Sequence, residues 1–131
     1  MSQKNVEIVR AAWEALNRGD LDAVFKHAAP DAEIDQTRAV GIDRGVYTVD
    51  EFRHLTEQFV KTWDSVRWGA DEIIDAGEHV VMSFTNRLRG RDGIEVEARG
   101  VIVWTFRERA IIRTCLYQDR REALEAAGVT E

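Results

Sequence analysis

The stretch Ile111-Ile112-Arg113-Thr114-Cys115-Leu116-Tyr117, which continues through Gln118-Asp119-Arg120 into Arg121-Glu122-Ala123-Leu124-Glu125-Ala126-Ala127-Gly128, decides the fold of this chain. β-Branched and aromatic residues favour a strand in its first part, and alanine, leucine and glutamate favour a helix in its last part. Asp119 stands at the junction, where its side chain can accept from the first amides of the helix. The chain is therefore predicted to close with a strand that leads into a short helix.

Helical spacing dominates the first part of the chain. Val6, Val9, Trp13 and Leu16 lie on one face of a first helix, which Gly19 can end. A second, shorter helix is predicted from its candidate cap Asp20 as far as Pro30, because proline cannot extend a helix. The residues expected to form its buried stripe are Leu21, Val24, Phe25 and Ala28.

A capping box marks the start of a third helix. The Thr48 hydroxyl can accept from the amide of Glu51, while the Glu51 carboxylate reaches back to the cap. Apolar residues then recur at helical spacing and form one broad face, which consists of Phe52, Leu55, Phe59, Val60 and Trp63. The sequence therefore predicts an amphipathic third helix.

Strands dominate the second half. Residues 32–36 are predicted as a short strand, and residues 37–45 as a loop or a strand connection at the rim of a pocket. After the third helix the apolar period shifts toward two, which predicts antiparallel strands at 65–76, 79–90, 94–107 and 110–119, with Arg91-Asp92-Gly93 as a hairpin turn. Helices first and long neighbouring strands later indicate an α+β domain with helices on one face of a bent sheet.

Two of the long strands carry information about faces. In the strand 79–90, the alternate residues Val80, Met82, Phe84, Asn86 and Leu88 are predicted to face the helices. The next strand is apolar on both faces at Val101-Ile102-Val103-Trp104, which alternation does not require of a half-solvated sheet. We expect the outer face of this strand to contact a second subunit in a homodimer.

Four motifs together resemble one known family. They are Asn17-Arg18-Gly19-Asp20-Leu21, Asp31-Ala32-Glu33-Ile34-Asp35, Gly45-Val46-Tyr47 and Val103-Trp104-Thr105-Phe106. From Val6 to Val129 the chain is similar to the SnoaL-like branch of the ketosteroid-isomerase-like, or nuclear-transport-factor-2-like, superfamily. The resemblance implies a single domain over residues 1–131, in which a curved antiparallel sheet wraps the N-terminal helices into a cone with an apolar pocket and a short C-terminal helix follows.

The resemblance to ketosteroid isomerases does not extend to their catalytic residues. Those enzymes use a carboxylate base on the first strand, with a tyrosine and a protonated aspartate as donors to an oxyanion. The matching positions here hold Gln36, Ala12 and Ile102. Because Gln36 cannot accept a proton at neutral pH and Ile102 cannot donate a hydrogen bond, steroid isomerisation by that mechanism is not expected.

Asp35, Arg113 and Tyr117 are the candidate catalytic residues. By the same resemblance, Arg113, Cys115 and Tyr117 share the inward parity of the last strand, and Asn86 faces them. A buried arginine needs a carboxylate partner, for which Asp35 and Asp119 are the nearest candidates. We interpret Asp35 as a general acid/base tuned by Arg113, and Tyr117 as the residue that orients a substrate oxygen.

Each of these candidates also has a structural interpretation. Asp35 and Arg38 could be solvent-facing strand residues, and Tyr117 could be a core aromatic residue with a satisfied hydroxyl. Cys115 is predicted to be a small apolar filler, since nothing near it in the sequence would activate its thiol as a nucleophile. Asp119 fits the N-cap of the last helix better than a catalytic role.

The candidate ligand-binding residues are mainly aromatic. The larger apolar ones could line a cavity for a flat hydrophobic molecule, or could equally fill it. The full set is Trp13, Gln36, Phe59, Trp63, Met82, Phe84, Asn86, Trp104 and Cys115.

Composition argues against several kinds of partner. The net charge of -6 opposes nucleic-acid binding, and the arginines between residues 87 and 99 are interleaved with acidic residues as in a solvated charge ladder. The single cysteine and three separated histidines form no metal-ligand pattern, and dinucleotide and Walker motifs are missing, so we expect neither metal nor cofactor. Without an apolar run of about 20 residues or a secretory signal, we expect no membrane contact and a cytoplasmic location.

Two classes of function stay open. One is a small-molecule enzyme, a cofactor-independent acid/base isomerase, cyclase or dehydratase on a polyketide-, steroid- or terpenoid-like substrate. Its mark would be a buried carboxylate with a raised pKa. The other is a non-catalytic ligand-binding or dimerisation domain, whose pocket would be apolar with at most one polar anchor.

Overall fold

A computed structural model describes residues 2–40 and 44–129 of the chain. Within these ranges the elements are α1 (Ser2–Arg18), α2 (Leu21–Val24), β1 (Ala28–Asp35), β2 (Val46–Tyr47), α3 (Val49–Thr62), β3 (Ser65–Ala76), β4 (His79–Arg89), β5 (Glu95–Arg107), β6 (Ala110–Tyr117) and α4 (Arg120–Ala126). None of the helices in these ranges combines the length and the apolar character that crossing a membrane requires.

One six-stranded sheet organises the described part of the chain, in the order β2-β1-β6-β5-β4-β3. Successive strands from β3 to β6 pair antiparallel, as predicted. The pairing of β1 with β6 is parallel. Parallel strands need a long crossover connection, and the chain between β1 and β6 provides one. The α+β class and the helix-first order of the sequence prediction are confirmed.

The predicted second helix is wrong beyond its first turn. Asp20 does cap it, since the Asp20 Oδ1 accepts from the Ala23 amide at 3.1 Å. The helix ends at Val24, however, and Ala28 is the first residue of β1. Pro30 lies inside that strand, in a segment where the ladder to β6 is irregular. A proline without an N–H is tolerated there because no regular ladder bond is required of it.

The other helix and strand predictions differ from the structure only at their ends. The capping box at Thr48 is formed in both directions, and β3 has the predicted bounds. The strands β4, β5 and β6 are each shorter than predicted by one or two residues at one end. Asp119 caps α4, because its Oδ1 accepts from the Arg121 amide at 2.9 Å.

The sheet has two buried faces, each with its own cover. We call the face that packs on α1 the inner face. There Val80 and Met82 of β4 belong to one apolar cluster with Val9 and Trp13 of α1, and Asn86, at a position of the same parity, is also buried. The predicted inward parity of β4 is therefore confirmed.

We call the opposite face the outer face, and the chain's own last helix covers part of it. Val101 and Val103 of β5 form a second cluster there with Ala123 and Leu124 of α4. From the sequence we expect a second subunit on the apolar outer face of β5. In the structure, α4 of the same chain covers these apolar residues. The homodimer itself stays a prediction.

Candidate functional site

Four of the predicted ligand-binding residues pack together on the inner face. The exposed fraction is 8% for Trp13, 0% for Met82, 9% for Phe84 and 6% for Trp104. The Trp13 ring centroid lies 5.7 Å from that of Phe84 and 6.4 Å from that of Trp104, the latter in an edge-to-face arrangement. Of the two alternatives, these side chains fill the inner face in this structure rather than line an open cavity.

The aromatic contacts continue from this cluster to α3. The Trp13 ring contacts the Trp68 ring at 5.8 Å, Trp68 contacts Phe59 at 5.9 Å, and Phe59 contacts Trp63 at 6.2 Å. We call Trp63, Phe59, Trp68, Trp13 and Trp104 the aromatic row. It runs from half-buried side chains beside α3 to fully enclosed side chains on the inner face.

The apolar face of α3 is only partly covered. Thr56 is the buried residue of this helix, whereas Phe52, Leu55, Phe59 and the C-cap residue Trp63 are half-buried and Val60 is 42% exposed. An amphipathic helix normally buries its apolar stripe against the core. The apolar face of α3 therefore keeps part of its surface exposed.

Two polar atoms of the aromatic row have no partner. Across residues 2–40 and 44–129, the buried side-chain nitrogen and oxygen atoms without a hydrogen bond are Asn5 Oδ1, Trp13 Nε1 and Trp104 Nε1. Buried indole N–H groups usually find an acceptor. Two of these three atoms belong to neighbouring rings of the inner face, whose centroids are 6.4 Å apart.

Trp68 was missing from the sequence-based candidates, although it connects the two ends of the aromatic row. It lies opposite Asn86 in the ladder, so it shares the inner face with that residue. A bulge between Ala70 and Glu72 changes the parity farther along β3. For this reason alternation over the whole strand does not identify its inward-facing residues. The sequence signal that could have identified Trp68 as inward-facing is the local alternation Val66-x-Trp68-x-Ala70.

The two predicted amides, Asn86 and Gln36, make local contacts. Asn86 is 6% exposed, and its Oδ1 accepts from the Gly69 amide at 3.2 Å. Gln36 follows β1 directly and is half-buried, with its backbone amide donating to the Gly45 carbonyl at 2.7 Å. Asn86 thus joins β4 to β3 beneath the aromatic row.

The predicted inward direction of Arg113, Cys115 and Tyr117 is wrong. In the ladder with β5, Tyr117 lies opposite Val101 and Cys115 opposite Val103, and these four residues belong to the cluster covered by α4. Arg113 has the same parity as Cys115 and Tyr117 and lies opposite Thr105. The inward positions of β6 are those of the other parity, which include Leu116. Asn86 therefore lies on the opposite face of the sheet from the three predicted residues.

Asp35 is held as an ionised carboxylate on the outer face. Its Oδ2 accepts from Arg113 Nη2 at 2.9 Å, and its Oδ1 accepts from the Thr37 hydroxyl at 2.6 Å and from the Thr37 amide at 2.9 Å. Burial raises the pKa of Asp35, but the hydrogen bonds from Thr37 and the charge of Arg113 outweigh it, and the net pKa lies below the ordinary value. The predicted Asp35–Arg113 pairing is confirmed, while the raised pKa expected of an acid/base carboxylate is not observed.

Arg38 lies beside the Asp35–Arg113 pair. We call Asp35, Arg38, Arg113, Cys115 and Tyr117 the outer cluster. The guanidinium carbon of Arg38 lies 4.6 Å from the centroid of the Tyr117 ring, and its Nη1 lies 3.3 Å from Cys115 Sγ. It also approaches Glu122 of α4, with its Nε 3.6 Å from the carboxylate. Burial, followed by the neighbouring Cys115, raises the pKa of the Tyr117 hydroxyl, so the phenol stays protonated at neutral pH. The outer cluster ties the segment after β1 to the last helix.

Other concave surfaces and ligand patterns lie apart from the aromatic row. One open groove of ≈ 700 Å³ is lined by the ends of α1, β5 and the adjoining turns, and another of ≈ 380 Å³ lies between β3 and β4, beside Arg67 and Arg87. No group of histidine, cysteine and acidic side chains with the arrangement of a metal site is found in the part of the chain that the structure describes.

Comparisons with known proteins place these features among similar chains. The sequence pattern of the SnoaL-like domain family matches residues 9–114. A search of curated proteins finds no match. An NTF2-like protein of unknown function from Burkholderia pseudomallei is 27% identical, over 93% of this chain and 95% of its own, with a TM-score of 0.73.

Two further solved structures share the fold. An NTF2-like protein from Burkholderia thailandensis is 24% identical over 96% of this chain and 98% of its own, with a TM-score of 0.76. IdmH from Streptomyces antibioticus, a proposed polyketide cyclase, is 18% identical over 95% of this chain and 99% of its own, with a TM-score of 0.74. At these identities the likeness concerns the fold alone.

Proposed function

Because the chain belongs to the SnoaL-like domain family, we propose that it binds a small, flat, largely apolar molecule between α3 and the inner face of the sheet. The observation that carries this proposal is the partly covered apolar face of α3, beside which the aromatic row begins. Flat aromatic side chains favour stacking and edge contacts with flat ligands. The ligand would add the contacts that α3 lacks in the structure.

A polyketide-like ligand fits this site, and the proposed polyketide cyclase with the same fold supports that choice. Cofactor-independent cyclisation, isomerisation or dehydration of this ligand is the second candidate function. One observation favours a purely binding role, without catalysis, over this second candidate. Asp35 is paired, has a lowered pKa and lies on the other side of the sheet from the aromatic row.

In this proposal Asp35 and Arg113 are positioning residues. Their ion pair, with Tyr117 beneath Arg38, fixes the segment that leaves β1. Gln36, the next residue, directly follows β1 and by alternation has the parity opposite to that of Asp35. Catalysis by Asp35 would instead require it to exchange its present partners for the substrate.

The homodimer is proposed to use the part of the outer face that α4 leaves open. That part carries side chains of both signs, with Arg87 Nη2 3.6 Å and Arg99 Nη2 3.0 Å from the Glu97 carboxylate. Such a surface suits a polar, reversible contact rather than an obligate one. Sedimentation velocity over a range of protein concentrations tests it, and a purely monomeric protein at the highest concentration would contradict it.

The ligand site is tested with fluorene, a flat hydrocarbon, by equilibrium dialysis. We expect saturable binding that Phe59→Ala weakens roughly tenfold or more, because a buried phenyl ring contributes about 1.5 to 3 kcal/mol. Gln58→Ala is the control, since Gln58 lies on the same helix at an exposed position outside its apolar face. The proposal fails if the wild-type protein binds no fluorene, or if both variants weaken binding equally.

A further inference from the structure

The two unpartnered indole N–H groups carry information about the ligand. Trp13 and Trp104 are 8% and 6% exposed, so both side chains are more than nine-tenths buried. Their ring centroids are 6.4 Å apart, and neither Nε1 has an acceptor among the described residues. A buried donor without an acceptor costs about 1 to 3 kcal/mol. Two such donors in one aromatic cluster are expected to have an acceptor that residues 2–40 and 44–129 do not supply.

The surroundings of these donors restrict what the acceptor can be. The buried cluster around the two rings is apolar and includes Val9, Met82, Phe84 and Leu116. For a water molecule that accepted from the indoles, Asn5 Oδ1 is the one unpartnered buried side-chain acceptor among the described residues, so at least one hydrogen of that water would face apolar side chains. A carbonyl or phenolate oxygen accepts without hydrogens that need partners. A ligand oxygen therefore fits this environment better than water does.

A route connects the donors to the open side of α3. Trp63 and Phe59 are half-buried, and the contacts from Phe59 through Trp68 lead to Trp13. With Thr56 as its buried residue, α3 has a small share in the core. An element with few buried contacts opens at low cost in free energy. We therefore expect a flat molecule to enter beside Phe59 and to reach the donors along the aromatic row.

We infer that the indole N–H groups of Trp13 and Trp104 donate hydrogen bonds to an oxygen of the bound molecule, so that the ligand is a flat, apolar molecule carrying a carbonyl, quinone or phenolate oxygen. This inference rests on the proposed ligand site. The donors differ from the positions that matched the oxyanion donors of ketosteroid isomerases, which hold Ala12 and Ile102 here. Trp13 is the residue after Ala12 on α1, and Trp104 is the next inward residue after Ile102 on β5.

The experiment compares fluorene with fluorenone, which has the same flat frame and one carbonyl. In equilibrium dialysis we expect the wild-type protein to bind fluorenone about three- to tenfold more tightly, as one or two neutral hydrogen bonds imply. Trp13→Phe and Trp104→Phe keep an aromatic ring and remove the donor. Each is expected to reduce the preference for fluorenone, while the double variant abolishes it and still binds fluorene.

A second measurement needs no variant. In two-dimensional NMR spectra of the wild-type protein, fluorenone is expected to move the indole N–H resonances of Trp13 and Trp104 downfield, and fluorene is not. Equal binding of the two molecules without such a shift overturns the inference and leaves the proposed ligand site in place. If neither molecule binds, the proposed function fails and the inference fails with it.

Discussion

The side chain of Asn17 makes two hydrogen bonds with the backbone of Trp68. Asn17 Nδ2 donates to the Trp68 carbonyl at 2.8 Å, and Asn17 Oδ1 accepts from the Trp68 amide at 2.9 Å. Trp68 lies on β3, at the edge of the sheet, where one side of the strand has no neighbouring strand among the residues that the structure describes. The end of α1 therefore satisfies the edge of the sheet at the residue that joins the two halves of the aromatic row.

Replacing Asn17 tests this connection. We expect Asn17→Ala to lower the free energy of unfolding by about 1 to 3 kcal/mol, since each hydrogen bond contributes roughly 0.5 to 1.5 kcal/mol. Asn17→Asp keeps the acceptor and loses the donor, so its free energy of unfolding should lie between those of the wild type and of Asn17→Ala. Urea denaturation measures the effect, with the exposed Gln58→Ala on α3 as the control. A loss no larger than that of Gln58→Ala would show that the edge is satisfied without Asn17.

The Asp35–Arg113 pair predicts how stability depends on pH. Because the pKa of Asp35 is lower in the folded protein, its contribution is present above the unfolded pKa of about 3.9 and is lost as the pH falls through the folded pKa. We expect Asp35→Asn to cost about 1 to 3 kcal/mol at pH 7. This difference from the wild type should shrink below about pH 4.

Urea denaturation between neutral and acidic pH measures this difference. Asp31→Asn is the matched control, because Asp31 is an exposed residue of the same strand. A cost of Asp35→Asn that stayed constant with pH would mean that the ionised carboxylate does not stabilise the fold.

Gly100 leaves room for the ring of Phe84 on the inner face. A Cβ at this position would lie 2.8 Å from Phe84 Cζ and 3.1 Å from Leu116 Cδ1. We expect Gly100→Ala to cost about 1 to 3 kcal/mol, because Phe84 is packed against Trp13 and cannot move freely. In a double-mutant cycle, Phe84→Leu should absorb part of this cost. Strict additivity of the two substitutions would exclude the proposed clash.

The cover of the outer face by α4 predicts the effect of truncating Leu124. Leu124 is 2% exposed and packs in the cluster with Val101 and Val103. We expect Leu124→Ala to cost about 2 to 5 kcal/mol. The neighbouring Glu125→Ala, at an exposed position, should stay within about 0.5 kcal/mol of the wild type. Comparable unfolding midpoints for the two variants would mean that α4 adds little to the stability of the sheet.

Most helices and strands could be predicted from local sequence. Thr48 with Glu51, and Asp119 before α4, specify helix starts because their side chains satisfy nearby amides. The alternation of Val80, Met82 and Phe84 specifies the inward face of β4 in the same local way. Pro30 shows the limit of such arguments, because a proline that ends a helix pattern is also tolerated in an irregular strand.

The candidate site depended on features that periodicity does not contain. Alternation showed that Arg113, Cys115 and Tyr117 share one face, but that face was decided by the register with β5 and by the position of α4. Trp68 belongs to the aromatic row because the register with β4 places it opposite Asn86 on the inner face. The sequence by itself determined the α+β order, the helix caps and the spacing of apolar residues, since these follow from interactions between near neighbours. Tertiary structure alone decided which face of the sheet Arg113, Cys115 and Tyr117 occupy and that Asn17 binds Trp68, because both depend on contacts between residues far apart in the chain.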